Sequence, residues 1–250
     1  MTGVARPTLD AVLALTDGID GWMSADQGAR LYEAARRCPA NGRIVEIGSF
    51  RGRSTIVLAS AADPSVEVVA IDPHAGNDRG PQEIEGFAAA ARTDREVFEQ
   101  NLAAAGVADR VRHVAAYSDA AHPAVASPID VLYVDGAHRF GPARADIRDW
   151  GRRIGDGGTL LIHDSFSSVG VTLAILRQLV LGRRFRYVGR SRSLAEYRAD
   201  LGGHGGVGNA LRQIAQLPWF ARNLTLKVLL TVGVGKLLRR LRIPVPEWPY

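Results

Sequence analysis

Short apolar runs alternate with longer helical patterns through most of the chain. The runs predict buried strands at 44–47, 66–71, 111–114, 131–134 and 160–162. Between and after them, apolar residues recur at helical spacing over 54–62, 87–105, 143–153 and 169–179. Because strands that alternate with helices favour βαβ units, this pattern predicts a mostly parallel sheet covered by helices on both faces.

The two ends of the chain follow other patterns. A short helix is predicted over Leu9–Leu15, and a second one begins at Ser24, where Gln27 has the spacing of a capping box. Near the other end, the runs 185–188 and 193–197 flank a short polar turn and predict a hairpin with an antiparallel last strand. The sequence therefore predicts an α/β, Rossmann-like, doubly wound fold with a seven-stranded sheet. The expected division is 1–41 for N-terminal helices, 42–200 for the α/β body and 201–250 for a helical tail behind the glycine-rich linker 202–208.

Composition narrows the class of protein. The 250 residues are 46% hydrophobic, and Cys38 is the single cysteine, which excludes a disulfide framework and a cysteine-built metal site. The N-terminus lacks the basic start and apolar core of a secretory signal, so we expect a cytoplasmic protein. The net charge of +5 is uneven, since residues 201–250 hold seven basic groups against Glu247 and the remainder is slightly acidic. We therefore expect no nucleic-acid binding by the body, and an acidic surface as the partner of the basic tail.

A glycine-rich turn follows the first predicted strand. The segment EIGSFRGRST begins at Glu46, and such a turn at a helix N-terminus can bind a carboxylate or phosphate. Asp72 ends the next strand, where a carboxylate can accept hydrogen bonds from ribose hydroxyls. A dinucleotide fingerprint would need glycine where Phe50 and Arg53 stand, which disfavours the alternative of a nicotinamide-dependent oxidoreductase.

Two later strands end in acidic and imidazole side chains. Asp135 and His138 follow the strand 131–134, and His163 and Asp164 follow 160–162. Each residue alone is typical of a helix cap or a hydrogen-bonded core histidine. Because ligands bind outside the carboxyl ends of strands in open α/β sheets, and because buried charges need partners, the four together indicate a metal or an acid–base site.

These motifs resemble those of a known enzyme family. VEIGSFRGRST and VVAIDPH resemble the first two motifs of class I S-adenosylmethionine (SAM)-dependent methyltransferases. YVDGAHRFGPARADIRDW and GDGGTLLIHDSF are similar to bacterial small-molecule O-methyltransferases, including macrocin O-methyltransferases and other sugar-modifying enzymes. Length and motifs are also similar to actinobacterial methyltransferases of methylmannose polysaccharide synthesis. The resemblance covers about residues 40–200 and implies O-methylation of a small molecule, most simply a sugar.

The resemblance also implies roles for individual residues. It implies His138 as the general base and Mg²⁺ bound by Asp135 and Asp164, with His163 as a further candidate ligand. Some metal-dependent relatives carry two adjacent acids where this chain has His163-Asp164. Because Mg²⁺ prefers oxygen ligands, this difference argues against a strong magnesium site that includes His163. The implied SAM-binding residues are Glu46, Gly48, Ser49, Gly52, Ser54, Asp72, Ser118, Asp119 and Asp135.

The polar loop 72–86 is long for a simple connection and predicts a lid over the crevice. His74 and Arg79 in that loop, and Arg139 beside His138, are the expected acceptor contacts. Surface disorder is the competing interpretation of the loop.

The tail is open to two interpretations. An apolar stretch over 224–238 follows Trp219 and Phe220, and it is shorter than the roughly 20 residues that span a bilayer. Burial in a homodimer interface is the interpretation favoured by the missing amphipathic stripe. The other is a membrane-surface anchor with Arg239, Arg240 and Arg242 on anionic lipid, which would also suit a non-catalytic SAM-fold module.

Overall fold

The computed structural model describes residues 6–75, 87–203 and 206–231. The strands in this part of the chain are β1 Arg43–Ile47, β2 Glu67–Ile71, β3 Val111–Val114, β4 Ile129–Val134, β5 Ile154–Ile162, β6 Phe185–Ser191 and β7 Leu194–Ala199. The helices are α1 Leu9–Ala14, α2 Ala25–Arg36, α3 Arg53–Ala61, α4 Phe87–Ala104, α5 Phe140–Asp149, α6 Val169–Ile175, α7 Val207–Ile214 and α8 Leu217–Thr231.

The strands form one sheet in the order β3-β2-β1-β4-β5-β7-β6. The five strands from β3 to β5 are parallel, and β7 runs antiparallel to both of its neighbours. The predicted fold, a seven-stranded and mostly parallel sheet with an antiparallel last strand, is therefore confirmed. The strand order reverses direction between β1 and β4, which is where ligands bind in open α/β sheets.

Alternate residues of each strand enter separate hydrophobic layers. Val45 and Leu132 belong to the layer that contains α5 and α6, whereas Ile44, Val131 and Tyr133 belong to the layer that contains α2 and α3. This two-sided burial explains why the parallel strands have nearly continuous apolar sequences.

The N-terminal helices join the same body. The amide of Ser24 donates to Oε1 of Gln27 at 2.8 Å, so the predicted capping box starts α2. Arg30 on α2 and Arg37 at the C-terminal cap of that helix contact the carboxylate of Glu196 on β7 at 2.6 and 2.7 Å. These ion pairs and the shared core fix α2 beside the central strands.

Some boundaries differ from those predicted. Strand β5 begins at Ile154 rather than 160, because its glycine-containing first half still pairs with β4 across a register shift. Helix α6 ends at Ile175 and continues as a wider π-type turn through Val180. The first tail helix begins inside the predicted linker 202–208, and α8 begins at Leu217, ahead of the apolar stretch 224–238. Residues 76–86, 204–205 and 232–250 lie outside the described residues. These ranges include most of the predicted lid and the end of the tail. None of the described helices is long and apolar enough to cross a membrane.

Candidate active site

The carboxyl ends of the central strands bring the predicted residues together. Gly48, Asp135 and His163 each donate a backbone hydrogen bond of 2.8–2.9 Å to a carbonyl at the end of the adjoining strand. Asp72 makes the corresponding contact of 3.2 Å to Val114. The sheet ladder thus aligns the first residue after each of four strands, as parallel pairing predicts.

A cavity of about 570 Å³ opens at this edge of the sheet. Most of the predicted site residues line it, namely Gly48, Ser49, Ser54, Asp72, His74, Ser118, Asp119, Asp135, His138 and Arg139. Glu46, Gly52, His163 and Asp164 lie behind this wall, and Arg79 lies outside the described residues.

The turn after β1 depends on glycine at position 48. Gly48 has a φ of +86°, and a Cβ atom there would collide with the carbonyl oxygen of Asp135. The turn can approach the end of β4 this closely only because residue 48 has no side chain and adopts a left-handed backbone conformation. Gly52, also at φ +86°, precedes the first turn of α3.

Asp72 is held by backbone amides on the cavity wall. Its two carboxylate oxygens accept hydrogen bonds of 2.8 Å from the amides of Phe50 and His74. The Oγ atom of Ser49 nearby is buried and has no hydrogen-bond partner among the described residues. An oriented carboxylate and an unsatisfied hydroxyl in one cavity wall favour a polar ligand between them.

Glu46 supports the turn from behind. Its side chain is fully buried and accepts hydrogen bonds from the hydroxyls of Ser54 and Thr55. Burial raises the pKa of Glu46 to about 8, because its effect exceeds the lowering by the hydrogen bonds from Ser54 and Thr55, and the charges of Asp135 and Asp72 add to the rise. Glu46 therefore ties β1 to the start of α3 instead of facing the cavity.

The far side of the cavity is built around Trp150. Its indole nitrogen donates to the carbonyl of Ser118 at 3.2 Å, and the His122 ring stacks on it with centroids 4.3 Å apart. The hydroxyl of Ser118 donates to Asp146 at 2.5 Å, and burial raises the pKa of Asp146 to about 6. Trp150 and Asp146 were missed by sequence reasoning, because their spacing on α5 is that of an ordinary core-facing helix.

The opposite side carries an imidazole–carboxylate pair. Nε2 of His138 is hydrogen-bonded to Oδ2 of Asp164, while Nδ1 of His138 is buried without a hydrogen-bond partner in the described part of the chain. Asp164 has a φ of +53°, a left-handed conformation that turns its carboxylate toward β4. His138 follows β4 and Asp164 follows β5. The parallel pairing of these two strands brings the two side chains together.

His163 lies between two carboxylates. Its Nδ1 atom is 3.2 Å from Oδ1 of Asp135 and 3.7 Å from Oδ2 of Asp164, and its side chain is 3% exposed. Burial alone would lower the pKa of His163, but the two carboxylates raise it to about 10. Burial likewise opposes ionisation of Asp164, whose pKa nevertheless falls well below its usual range because of His163 and His138. His163 is therefore a buried cation at neutral pH.

The connection between α1 and α2 forms a further wall that the sequence did not reveal. Asp20, Trp22 and Met23 line the cavity, and the Trp22 ring is 5.5 Å from that of Phe50. Arg51 joins this wall to the body, since it forms ion pairs with Asp20 and with Asp94 on α4. No local motif marks residues 20–23, because their role arises only from the position of the N-terminal helices.

The cavity lining is acidic. Seven aspartates line it against three arginines in the described part of the chain, and Asp20 and Asp94 are paired with one of these arginines. A cationic ligand is therefore favoured over an anionic one.

Comparison with known proteins assigns the family. A family model described as a methyltransferase domain matches residues 45–165. The chain is 31% identical over 172 residues to a catechol O-methyltransferase of Mycobacterium tuberculosis, covering 67% of this chain and 69% of that protein. The chain belongs to the SAM-dependent O-methyltransferases. The nicotinamide-dependent alternative is not favoured.

Solved structures of other proteins share the fold of this methyltransferase. The cofactor-bound protein Rv0187 from Mycobacterium tuberculosis has a TM-score of 0.52 at 24% identity, covering 76% of this chain and 88% of that one. An O-methyltransferase from Bacillus cereus in complex with SAH (S-adenosylhomocysteine) has a TM-score of 0.52 at 18% identity, covering 79% and 94%. Both support the methyltransferase fold described above.

The side chains of this methyltransferase fit SAM better than they fit Mg²⁺. The oriented Asp72 carboxylate, the buried Ser49 hydroxyl and the acidic lining suit a cationic ligand with ribose hydroxyls. Within the described residues, no group of three or more His, Cys, Asp or Glu side chains has an arrangement that could hold a metal ion. Between the two aspartates predicted as ligands lies the imidazole of His163, and the second oxygen of Asp135 accepts from the Tyr133 hydroxyl at 2.7 Å. As arranged, these residues do not fit the predicted magnesium site.

Proposed function

We propose that this O-methyltransferase methylates a hydroxyl of a sugar or glycoside, with His138 as the general base. The observation that carries the proposal is the His138–Asp164 pair at the cavity wall, next to Asp135 and opposite the Asp72 side. The acceptor class comes from the resemblance to sugar-modifying methyltransferases in the motifs around Asp135 and Asp164.

The cofactor is assigned to the side of the cavity formed by β1 and β2. The turn at Gly48 and Ser49 faces the amino-acid part of SAM, Asp72 accepts from the ribose, and Ser118 and Asp119 lie at the adenine end. When bound, SAM supplies a methyl group on a positively charged sulfur. The acidic lining stabilises that charge, and the protein's main task is to align the acceptor oxygen with the methyl group.

His138 removes the proton that makes a sugar hydroxyl a poor nucleophile. If Nε2 carries a proton and donates a hydrogen bond to Asp164, Nδ1 has the lone pair that can take up the acceptor's proton. Asp164 then fixes the tautomer and the ring orientation, and it stabilises the imidazolium that forms when the proton is taken up. His163 stabilises the ionised state of Asp164 from behind.

The wall formed by the α1–α2 connection is assigned to the acceptor. Trp22 and Phe50 provide apolar ring surfaces, and Asp20 and Arg139 provide hydrogen-bonding groups in the same cavity. This combination suits a neutral ring that carries hydroxyls, for which a mannose-type chain end is one candidate. A catechol is the competing acceptor, favoured by the 31% identity to a catechol O-methyltransferase.

The magnesium requirement remains a prediction from the resemblance. The proposal derives no step from a metal, because the predicted ligands Asp135 and Asp164 face the cation of His163. Turnover that survives dialysis against EDTA would agree with this arrangement. Turnover that is abolished by EDTA and restored by Mg²⁺ would show that the side chains rearrange around a metal.

A methyl-transfer assay tests the proposal directly. Wild-type protein with SAM is incubated with neutral sugars, glycosides and catechols, and release of SAH is measured. We expect turnover with a sugar or glycoside, and in the His138→Ala variant a fall in kcat of about 10²–10⁴-fold. SAH affinity, measured by calorimetry, should change little in that variant, because His138 is not among the residues assigned to the cofactor. Full turnover by His138→Ala, or activity confined to catechols, would contradict the proposal.

A further inference from the structure

Helix α7 presents its polar side to the protein and its apolar side to solvent. Oδ1 of Asn209 accepts from the amide of Tyr187 at 2.7 Å, and its Nδ2 donates to the carbonyl of Phe185 at 2.9 Å. Gln213, one turn later, is completely buried. Polar contacts thus fix this helix against β6, which is the reverse of the usual amphipathic arrangement.

The opposite side of α7 is an exposed apolar stripe. Val207, Leu211 and Ile214 are 77, 58 and 43% exposed, at the i, i+4, i+7 spacing of one helix face. Helix α8 continues with exposed apolar residues at Leu224, Val228 and Leu229. These six side chains are called the outer face. The free energy of leaving these apolar side chains in water favours a partner that covers them.

The charges near the outer face are all basic. Arg212 and Arg222 are exposed on α7 and α8, and no acidic residue occurs between Leu201 and Pro246. A second copy of the same face would bring these like charges together. An anionic lipid surface complements them, and apolar side chains flanked by arginines are typical of helices that lie in a membrane interface.

We propose that the outer face of α7 and α8 docks on an anionic phospholipid bilayer. The apolar stripe enters the interface between headgroups and acyl chains, and Arg212 and Arg222 contact lipid phosphates. In this arrangement the enzyme lies on the membrane surface.

The docking helices also contact the loop that follows β5 and carries Asp164, called the catalytic loop below. Nδ2 of Asn223, on the inner side of α8, donates to the carbonyl of Phe166 at 3.2 Å. Nζ of Lys227 donates to the carbonyl of Ser167 at 3.0 Å. Both acceptors lie within three residues of Asp164, so the lipid surface would be next to the loop that positions His138.

The test is cosedimentation of the full-length protein with vesicles. Vesicles of phosphatidylcholine with phosphatidylglycerol are compared with vesicles of phosphatidylcholine alone, at low and high salt. We expect binding to the anionic vesicles only, weakened by salt because the Debye length shrinks. Arg212→Gln and Arg222→Gln should each reduce partitioning by about 5-fold, as expected for basic groups near an anionic surface. Leu211→Gln/Ile214→Gln should reduce it by about 10-fold or more.

Leu15→Gln is the matched control, since Leu15 is a similarly exposed apolar residue on the α1 side of the protein. It should bind vesicles like the wild type, and all variants should keep solution turnover and melting temperature. Equal binding to both kinds of vesicle, or equal sedimentation of wild type and Leu211→Gln/Ile214→Gln, would overturn the proposal. A vesicle-free dimer in sedimentation velocity that Leu211→Gln/Ile214→Gln dissociates would instead assign the outer face to a second copy. Failure of docking would leave the methyl-transfer assay unaffected, so the two proposals are tested separately.

Discussion

The two sides of the active-site cavity are built by different physical means. The side assigned to the cofactor is built mainly by backbone groups, since Gly48 allows a close turn and the amides of Phe50 and His74 orient Asp72. On the catalytic side, buried side chains hold one another through charge, with His163 between Asp135 and Asp164.

This difference predicts different responses to mutation. On the backbone-built side, folding should depend on shape at the glycines more than on charge. A charge-built side tolerates neither the loss of one partner nor a pH that neutralises it, because an unpaired buried charge is costly. The following predictions test that contrast.

The largest effect is expected at His163. His163→Asn removes the cation between Asp135 and Asp164 and should lower the free energy of unfolding by about 3–5 kcal/mol at neutral pH, measured by urea denaturation. Asp135→Asn/His163→Asn should be less destabilised than the sum of the single variants, since it also removes one of the repelling carboxylates. Additive losses would show that the residues do not act as a charged group.

The same cluster predicts a pH dependence. The folded-state pKa of His163 is raised to about 10, so its contribution to stability is fully present below the unfolded value of about 6.5 and is lost as the pH rises through about 10. The difference in unfolding free energy between wild type and His163→Asn should therefore be larger at pH 6 than at pH 10. An equal difference at both values would mean that His163 acts only by its shape.

On the cofactor side, Gly48→Ala should disrupt the turn by shape alone. It combines a left-handed backbone with overpacking against Asp135, at a cost of about 2–5 kcal/mol, and should abolish measurable SAH binding. Gly106→Ala is the matched control, because Gly106 also has a positive φ, of +68°, but has open space where a Cβ atom would lie. The control should lose only about 1–2 kcal/mol and bind SAH normally. Similar losses in both variants would remove close approach as the reason for Gly48.

Asp72→Asn should weaken cofactor binding without slowing the chemical step. One oxygen of the carboxylate is replaced by a donor that cannot accept from the amide of Phe50 or His74. SAH affinity should fall about 10–100-fold by calorimetry, while kcat at saturating SAM stays near that of wild type. The exposed Asp109 provides the control Asp109→Asn, which should change neither. A fall in kcat with unchanged affinity would assign Asp72 to the wrong side of the cavity.

The smallest effect is expected at the contact between the tail and the catalytic loop. Asn223→Ala removes the hydrogen bond to Phe166 and should destabilise the protein by about 1 kcal/mol, with a few-fold fall in kcat and unchanged SAH affinity. Thr225→Ala, on the exposed side of the same helix, should leave kcat unchanged. If Asn223→Ala lost stability with no change in kcat, the contact would be structural only.

Local features of the sequence predicted the strand ends and the turn on the side of the cavity assigned to the cofactor. Strand ends, the glycine turn and Asp72 are recognisable because residues 46–55 and 66–72 are continuous and their hydrophobic period specifies buried strands. The parallel pairing of those strands then dictates that Asp72, Asp135 and His163 share one edge of the sheet, and the sequence predicted that as well. The role of Glu46 did not follow, because only packing decided that its side chain lies under α3 and not in the cavity.

What the sequence by itself determined is therefore the α/β fold, its strand ends and the chemical types of side chain gathered there. Tertiary structure decided which of these side chains touch. The pairing of His138 with Asp164 joins residues 26 positions apart, and the contacts of His163 with Asp135 and of Trp22 with Phe50 each join residues 28 positions apart. Hydrophobic periodicity acts over one helix or strand, whereas charge pairing and cavity shape depend on distances of a few ångströms between segments. Such distances are fixed only when the layers pack.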